Sequence, residues 1–471
     1  MALRPILSIR PFRRIYLWWH NLSPSGLFVA SFLLLIVLGT TGLMILPGLY
    51  TGAPLSLLDA LFTMTSAVCV TGLSVVDTGT YFSFWGQAWI LAFIQLGGLG
   101  LFALTTLIIG ALGRRLSLRS EMIAGPPVEI AHRHTVRGLA LAVARFTFLI
   151  EGAGAVLLWV QFIRTDGVIR GLWSAVFHSV SAFCNAGFSL YRDSLTGFAD
   201  SPFVLVPLSL LIILGGFGYL ASEEVGRWWK AGGFNGSLRL SSHTFAATVV
   251  TAGLLVIGAG LYAGFEWSGV LGRLGAVDKI ANAWFMSVTS RTAGFSSVSY
   301  SEVSNASAYL TILLMVVGGS PGSTAGGIKT TALAVLIALA VSRIRGRRYV
   351  SIHDRAVPDS TVQRTVSLAL VAFVVLSLAV FALSFSEAGG RSVAEARGSF
   401  LPELFEATSA LATVGLSMDL TPTLTAPGKL VIVILMFMGR VGPLSFFAAI
   451  ALKATAFPAD FRPAREDLIV G

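Results

Sequence analysis

The chain has 471 residues, of which 55% are hydrophobic and only 12% charged, and a net charge of +10. That balance excludes a soluble globular protein of this length and identifies an integral membrane protein. The positive excess requires no nucleic acid, because basic loops lying beside anionic lipid account for it.

In chain order, apolar runs long enough to cross the hydrocarbon recur at 27–46, 87–112, 139–163, 203–221, 244–265, 308–317 together with 328–342, 366–385 and 430–452. They predict an all-α membrane protein with about eight spanning helices in four pairs. The first run is too long for the core of a cleaved leader, and no small-residue cleavage pattern follows it, so it reads as a retained anchor. Between the members of each pair lies a segment of mixed polarity, roughly 12–15 residues long. Such a segment cannot cross a bilayer as a helix and is predicted to be re-entrant.

These short segments carry one phrase four times: Ala67-Val-Cys-Val-Thr-Gly72-Leu-Ser, Ala182-Phe-Cys-Asn-Ala-Gly187-Phe-Ser, Thr289-Ser-Arg-Thr-Ala-Gly294-Phe-Ser and Ala410-Leu-Ala-Thr-Val-Gly415-Leu-Ser. The glycines are 115, 107 and 121 residues apart, and ten residues before each stands an aromatic, Phe62, Phe177, Trp284 or Phe405. Four diverged copies in one chain predict a pseudo-fourfold arrangement about an axis. The expected organisation is a cytoplasmic segment 1–26, repeat 1 over 27–113 and repeat 2 over 114–242. Repeat 3 follows over 243–365, then repeat 4 over 366–455 and a cytoplasmic tail over 456–471.

A ring of this kind suits an ion pore. A bare cation in hydrocarbon is prohibitively costly, so a pore must replace its water with oxygen atoms. Glycine lets the backbone take conformations closed to other residues and approach the axis. Thr413-Val414-Gly415 matches the start of the carbonyl filter that strips water from potassium. The candidate filter is therefore Val70, Thr71 and Gly72; Asn185, Ala186 and Gly187; Thr292, Ala293 and Gly294; and Thr413, Val414 and Gly415, with K+ at the glycines. Thr71, Asn185, Thr292 and Thr413 can add hydroxyl or amide groups. Ser66, Ser181 and Ser409 stand six residues before their glycines, where the third repeat has Val288. Asp59 and Glu403, near the starts of their short helices, suit the helix dipole better than an ion. Any one glycine has an ordinary turn or packing role as its alternative; four in register with an aromatic carry the pore reading.

A second glycine quartet lies in the second helix of each pair: Gly97-Gly98-Leu-Gly100, Gly215-Gly216-Phe-Gly218, Gly318-Gly319-Ser-Pro-Gly322 and Gly439-Arg440-Val-Gly442. The first two copies read as close helix packing through small residues. In the third, Gly318, Gly319, Ser320, Pro321, Gly322, Ser323, Thr324, Ala325, Gly326, Gly327 and Lys329 break the helix. Non-helical backbone at membrane depth survives only when buried or lining a watery cavity, so this loop is a candidate gate below the filter. In the fourth, Arg440 replaces a glycine deep in an apolar helix. Two readings stand: a charge that repels cations near the axis, or a structural arginine paired with Glu223, Glu224 or loop carbonyls. Residues 322–330 nearly match a phosphate-binding loop, but Ile328 separates glycine from lysine and no strand precedes, so that reading fails.

Of the 33 lysines and arginines, 21 fall on the side shared by both termini and 8 on the other, which predicts cytoplasmic termini and filter phrases open to the outside. The remaining four, Arg145, Arg291, Lys329 and Arg440, lie at membrane depth. Cys69 and Cys184 read as small buried thiols rather than a disulfide.

Four helix–pore loop–helix repeats, one filter glycine in each, a glycine-rich break in the sixth spanning helix and an arginine in the last resemble the Trk/Ktr/HKT superfamily of potassium transporters. The resemblance covers about residues 20–455 and is nearest the Ktr-type membrane subunit, since no extra helix pair precedes the first repeat. It implies that the four glycines supply filter carbonyls, that 318–329 is an intramembrane gating loop and that Arg440 lies beneath the filter. It also implies a homodimer with one pore per protomer, seated on a cytoplasmic ring of nucleotide-binding regulatory subunits. Gly72, where the plant branch pairs serine with sodium, points to potassium. Val70, Asn185, Ala186 and Ala293 replace the Thr-Val of the channel signature, so fewer well-formed ion sites are expected.

The alternatives are a sodium-permeable or sodium-coupled symporter of the same fold and, less favoured, a membrane-embedded enzyme. The enzyme would need converging acid–base groups, whereas the histidines are scattered and His178 reads as packed and neutral. Alternating access would favour inverted repeats and midplane carboxylates, for which Glu151 and Glu406 are the candidates.

Overall fold

A computed structural model describes residues 24–99, 136–233, 238–353, 355–389, 398–442 and 446. The basic residues Arg4 to Arg14 and Arg114 to Arg133, Gly100, and the tail after 446 lie outside them, as do the ends of the expected runs 87–112 and 430–452.

Four times the chain makes a long outer helix, a short pore helix and an inner helix. The outer helices are Pro24–Ile45, Val136–Asp166, Ser242–Glu266 and Asp359–Glu387. The pore helices are Leu57–Val68, Val168–Phe183, Ala276–Thr289 and Phe400–Ala412. The inner helices are Phe84–Gly98, Pro202–Phe217, Asn305–Val316 and Ala426–Val441. Among the described residues, the four outer helices contain the single helices that are long and apolar enough to cross a membrane, and Pro202–Phe217 reaches that length only together with Tyr219–Lys230, from which it is sharply bent. The outer helices turn much of their apolar surface outward, as Phe381 and Phe385 do, which is stable only against lipid. The protein is a multi-pass membrane protein.

Capping explains where the inner helices begin. Ser83, Ser304 and Thr425 each accept the backbone N–H three residues on, satisfying a donor that the first turn leaves free. Glu266 and Glu387, the last residues of two outer helices, then accept from the N–H and hydroxyl of Ser304 and Thr425. Each of those outer helices is thereby tied to the inner helix of its own repeat.

The expected span 203–221 is corrected. The inner helix stops at Phe217, Gly218 takes φ +83°, and the chain turns by 102° into Tyr219–Lys230. Glycine supplies the left-handed conformation a side chain would resist.

The apolar core runs around a ring. One cluster joins repeats 1 and 4 through Phe32, Phe62, Ile432 and Leu435; the others join repeats 2 and 3, and repeats 3 and 4. Phe62, Phe177 and Phe405, the aromatics ten before the glycines, are wholly buried, while Trp284 is half-buried. Lys429 Nζ reaches Asp59 Oδ1 at 2.7 Å across a sequence separation of 370, joining repeat 4 to repeat 1. That pair gives Asp59 a partner beyond the helix dipole.

Inner helices meet pore helices at backbone distance. A β-carbon on Gly97, Gly215 or Gly439 would overlap the carbonyl oxygen of Val68, Phe183 or Leu411, in each case the residue four before a filter glycine. Close packing therefore accounts for the fourth copy as well as the first two. Gly215→Ala is expected to destabilise the protein by about 1–3 kcal/mol through overpacking, whereas Gly152, with no atom within 4 Å of its β-position, should accept alanine. Thermal unfolding of the two variants in detergent checks this, and equal midpoints would refute it.

Candidate ion pathway

The four pore helices deliver the chain to one ring. Two residues before each glycine the backbone is left-handed, with φ of 55° at Val70, 58° at Asn185, 69° at Thr292 and 51° at Thr413. The glycines themselves have φ of 96°, 70°, 82° and 97°. Left-handed valine and threonine cost on the order of 1–3 kcal/mol each, while Asn185 adopts this region readily, so the same conformation in all four copies, strained in three, marks backbone held for a purpose.

Hydrogen bonds to the pore helices hold it. Thr71, Ala186 and Val414 donate their N–H groups to the carbonyls of Ser66, Ser181 and Ser409 at 2.8, 2.7 and 2.8 Å. The hydroxyls of Ser66 and Ser409 accept from Gly72 and Gly415 N–H at 3.0 Å. Ser181 instead donates to the Phe188 carbonyl at 2.8 Å. In repeat 3, where Val288 offers no hydroxyl, the register is one residue shorter and Thr289 donates to the Phe295 carbonyl at 2.7 Å.

Contacts between copies run once round the ring. A β-carbon on Gly72 would strike the Ala186 carbonyl, and one on Gly187 would lie 2.8 Å from the Ala293 oxygen. One on Gly294 would strike Val414, and one on Gly415 would strike Thr71. Repeats 1, 2, 3 and 4 thus touch in cyclic order, each glycine lying against the carbonyl just before the next. The pore helices end within a few residues of this ring, and each helix C-terminus carries roughly half a negative charge, a field that favours cations. Thr71, Thr292 and Thr413 bring buried hydroxyl oxygens without hydrogen-bond partners, the oxygen chemistry a desolvated cation needs. Asn185 is arranged differently from the threonines. In the orientation that satisfies it, its NH2 donates to the Ile212 and Ala182 carbonyls at 3.2 and 3.0 Å.

Against this ring lies the loop from Gly318 to Lys329. Its base is closed by Gly318 N–H to Ile328 O and Ile328 N–H to Val316 O, both 3.0 Å, and Thr330 N–H to Gly319 O, 3.1 Å. The break in the repeat 2 inner helix explains where the loop docks. Helix ends leave carbonyls unpaired, and Gly216 and Gly215 accept from Ser320 and Thr324 N–H at 2.9 and 3.2 Å. Thr324 Oγ1 also donates to the Phe183 carbonyl at 3.0 Å. β-Carbons on Gly318 and Gly326 would contact Thr292 and Thr413, so the loop touches the first filter residues of repeats 3 and 4.

Three cations hold this loop through its carbonyls. Arg291 Nη2 donates to Gly318 O at 2.8 Å, and Lys329 Nζ to Ala325 O at 2.6 Å. Arg440 donates to Thr324 O at 2.5 Å and to Gly97 O at 2.6 Å. Gly97 lies in the last turn of its helix, where a carbonyl is free and the dipole favours positive charge. Among the described residues the ion pairs are Lys429–Asp59 and Arg227–Glu223, so none of the three has a carboxylate partner. The pairing of Arg440 with Glu223 or Glu224 is thus ruled out in favour of loop carbonyls; Glu224 accepts from Ser241 and Thr244. A cavity of about 440 Å³ opens here, bounded by Gly98, Cys184, Gly215, Ala325, Lys329 and Arg440.

Arg291 is the loop-holding residue that motif reading left without a role. Its sole sequence signal is a charge inside a filter phrase. Cys69 and Cys184 are buried free thiols. Glu151 accepts from Gln95 behind the second pore helix, at 3.2 Å.

Four repeats whose glycines pack against one another's carbonyls in a closed ring give this membrane protein the architecture of a cation pathway. The family model described as TrkH, cation transport protein, matches residues 24–458, and the chain belongs to that family. It is similar to Ktr system potassium uptake protein B of Bacillus subtilis, with 34% identity over 92% of this chain and 94% of the relative. It is also similar to the potassium/sodium uptake protein NtpJ of Enterococcus hirae, 35% identical over 96% of this chain and 98% of that protein. Its fold is shared with the crystal structure of the potassium transporter TrkH from Vibrio parahaemolyticus, with a TM-score of 0.69 at 17% identity, covering 92% of this chain and 86% of that one. The chain is a transporter and not an enzyme.

Proposed function

We propose that this chain takes up potassium through the ring of Gly72, Gly187, Gly294 and Gly415, with K+ desolvated by carbonyls of the preceding filter residues. The observation that carries the reading is the cyclic contact of each glycine with the carbonyl before the next. The loop 318–329 gates the path, held shut by Arg291, Lys329 and Arg440. The distribution of basic residues supports cytoplasmic termini and an outward-facing filter. A homodimer on a separate cytoplasmic nucleotide-binding ring belongs to the same proposal; one relative's name as protein B of a Ktr system supports a further component. The NtpJ name supports a role for sodium, as a second permeant or a coupled ion.

Potassium-isotope uptake into proteoliposomes holding this chain, with sodium present or absent, tests the reading. Entry down the potassium gradient, poorly competed by other cations, is expected, and dependence on sodium distinguishes coupling from passive conduction. Sodium entry with no preference for potassium would overturn the assignment.

A further inference from the structure

Two of the four repeats carry a side-chain brace that the other two lack. In repeat 2, His178 stands nine residues before the filter glycine and Ser189 two residues after it; Nε2 and Oγ are 3.0 Å apart. In repeat 4 the same two places hold Glu406 and Ser417, and the hydroxyl donates to Oε2 at 2.7 Å. Repeats 1 and 3 have the serine, as Ser74 and Ser296, but Thr63 and Phe285 stand opposite. Thr63 donates to its own helix, at Asp59 O, and phenylalanine has nothing to offer. The glycine ring runs in repeat order, so the braced repeats are diagonally opposed.

Both braces are built sites. His178 and Glu406 are wholly buried. His178 Nδ1 lies 2.7 Å from Ser174 O, which can only accept, so Nδ1 carries the proton and Nε2 accepts from the Ser189 hydroxyl. The ring is stacked on Tyr191 with centroids 5.0 Å apart, which fixes its plane. Glu406 spends its other oxygen on the Thr421 hydroxyl, and Ser417 Oγ in turn accepts from Leu420 N–H at 3.2 Å. No cation pairs with this carboxyl among the described residues. A buried carboxyl with no counter-ion is costly, and here both its oxygens are used to hold the segment leaving the filter. Each brace also reaches repeat 3. Ser194, beyond Ser189, accepts from Ser296 N–H at 3.0 Å, and Asp419, beyond Ser417, accepts from Ser301 Oγ at 2.6 Å.

We propose that His178 and Glu406 are positioning residues for ion selection. From behind the ring, on opposite sides, each holds the serine two residues past its filter glycine and so sets the carbonyl spacing that separates potassium from sodium. The inference rests on the filter reading above. Thr63 supplies the control, since it occupies the same register without a brace.

The test is the ratio of potassium to sodium uptake in proteoliposomes of the full chain. Glu406→Ala and His178→Phe are each expected to lower the ratio at least about tenfold, since each loses its buried hydrogen bond to the serine together with a second one, to Thr421 or Ser174. Glu406→Gln, which still accepts a hydroxyl, should recover most of it, and Thr63→Ala should leave it unchanged. Ser417→Ala and Ser189→Ala remove one oxygen each and should reproduce the loss. Combined with Glu406→Ala, Ser417→Ala should add little, because the two act as one unit. If the larger variants do not assemble, the serine variants decide alone. Unchanged ratios in both serine variants would overturn the proposal. If Gly72→Ser also leaves the ratio unchanged, the filter reading fails with it; if Gly72→Ser lowers the ratio, the braces alone are refuted.

Discussion

Gly72→Ser is expected to lower the ratio of potassium to sodium uptake by about tenfold or more, equivalent to about 1.4 kcal/mol of lost discrimination. Gly72 has φ +96°, and a β-carbon there would overlap the carbonyl oxygen of Ala186 in the neighbouring repeat. Backbone on backbone cannot be relieved by a rotamer change, so one of the two segments must move. The atom that moves is a candidate ion ligand, and the segment that yields belongs to repeat 2. A serine in one repeat therefore disturbs two adjacent quarters of the ring. Gly415→Ala should act alike, since its β-carbon would meet the Thr71 oxygen. Gly260→Ala, in an outer helix with no atom within 4 Å, is the matched control. Unaltered selectivity in both filter variants would remove these glycines from the ion path.

Arg440→Gln is expected to raise potassium uptake about tenfold, and replacement of residues 320–326 by a short linker should raise it further. Arg440 ties the loop to the scaffold by donating to Thr324 O and Gly97 O together. Charge-assisted bonds of this kind contribute about 1.5–3 kcal/mol each, and a shift of about 1.4 kcal/mol changes an open-to-shut ratio tenfold. Removing the charge also removes a repulsion from the cavity. The loop can be shortened without unravelling its ends, because its base is closed by the hydrogen bonds of Gly318, Ile328 and Thr330. Lys329→Met, which loses only the bond to Ala325 O, should give a smaller rise. Isotope uptake at matched protein abundance reads all three. Flux that stays the same or falls in the shortened loop would show that 318–329 supports the fold and does not gate.

The membrane class, the four repeated phrases and the helix break were all legible in the chain. Each is a local property. Apolar runs report the solvent of a helix, four glycines at similar spacing report one backbone repeated, and two glycine pairs around Pro321 report where a helix stops. The resemblance drawn from these motifs agrees with the family to which the chain belongs. The hydroxyl missing at Val288 was legible only as a gap; the one-residue register change that lets Thr289 fill it appears in the fold alone.

Partners far apart in the chain were decided by tertiary structure. Motif spacing leaves open whether Arg440 meets a glutamate or a carbonyl, because its acceptors lie 116 and 343 residues away. A separation of 370 residues likewise hides Lys429 as the partner of Asp59, and no motif spacing marks Arg291 as a holder of the loop. Even near neighbours were not decided by the motif: the turn of Asn185 toward Ile212, and the pairing of His178 and Glu406 with the serines 11 residues on, depend on how the chain turns back on leaving the pore helix. The sequence determined which groups had to be satisfied, since buried charge and broken helix ends are costly wherever they fall. Only the folded ring decided which group satisfies which, because that depends on the surfaces four separated repeats present to one axis.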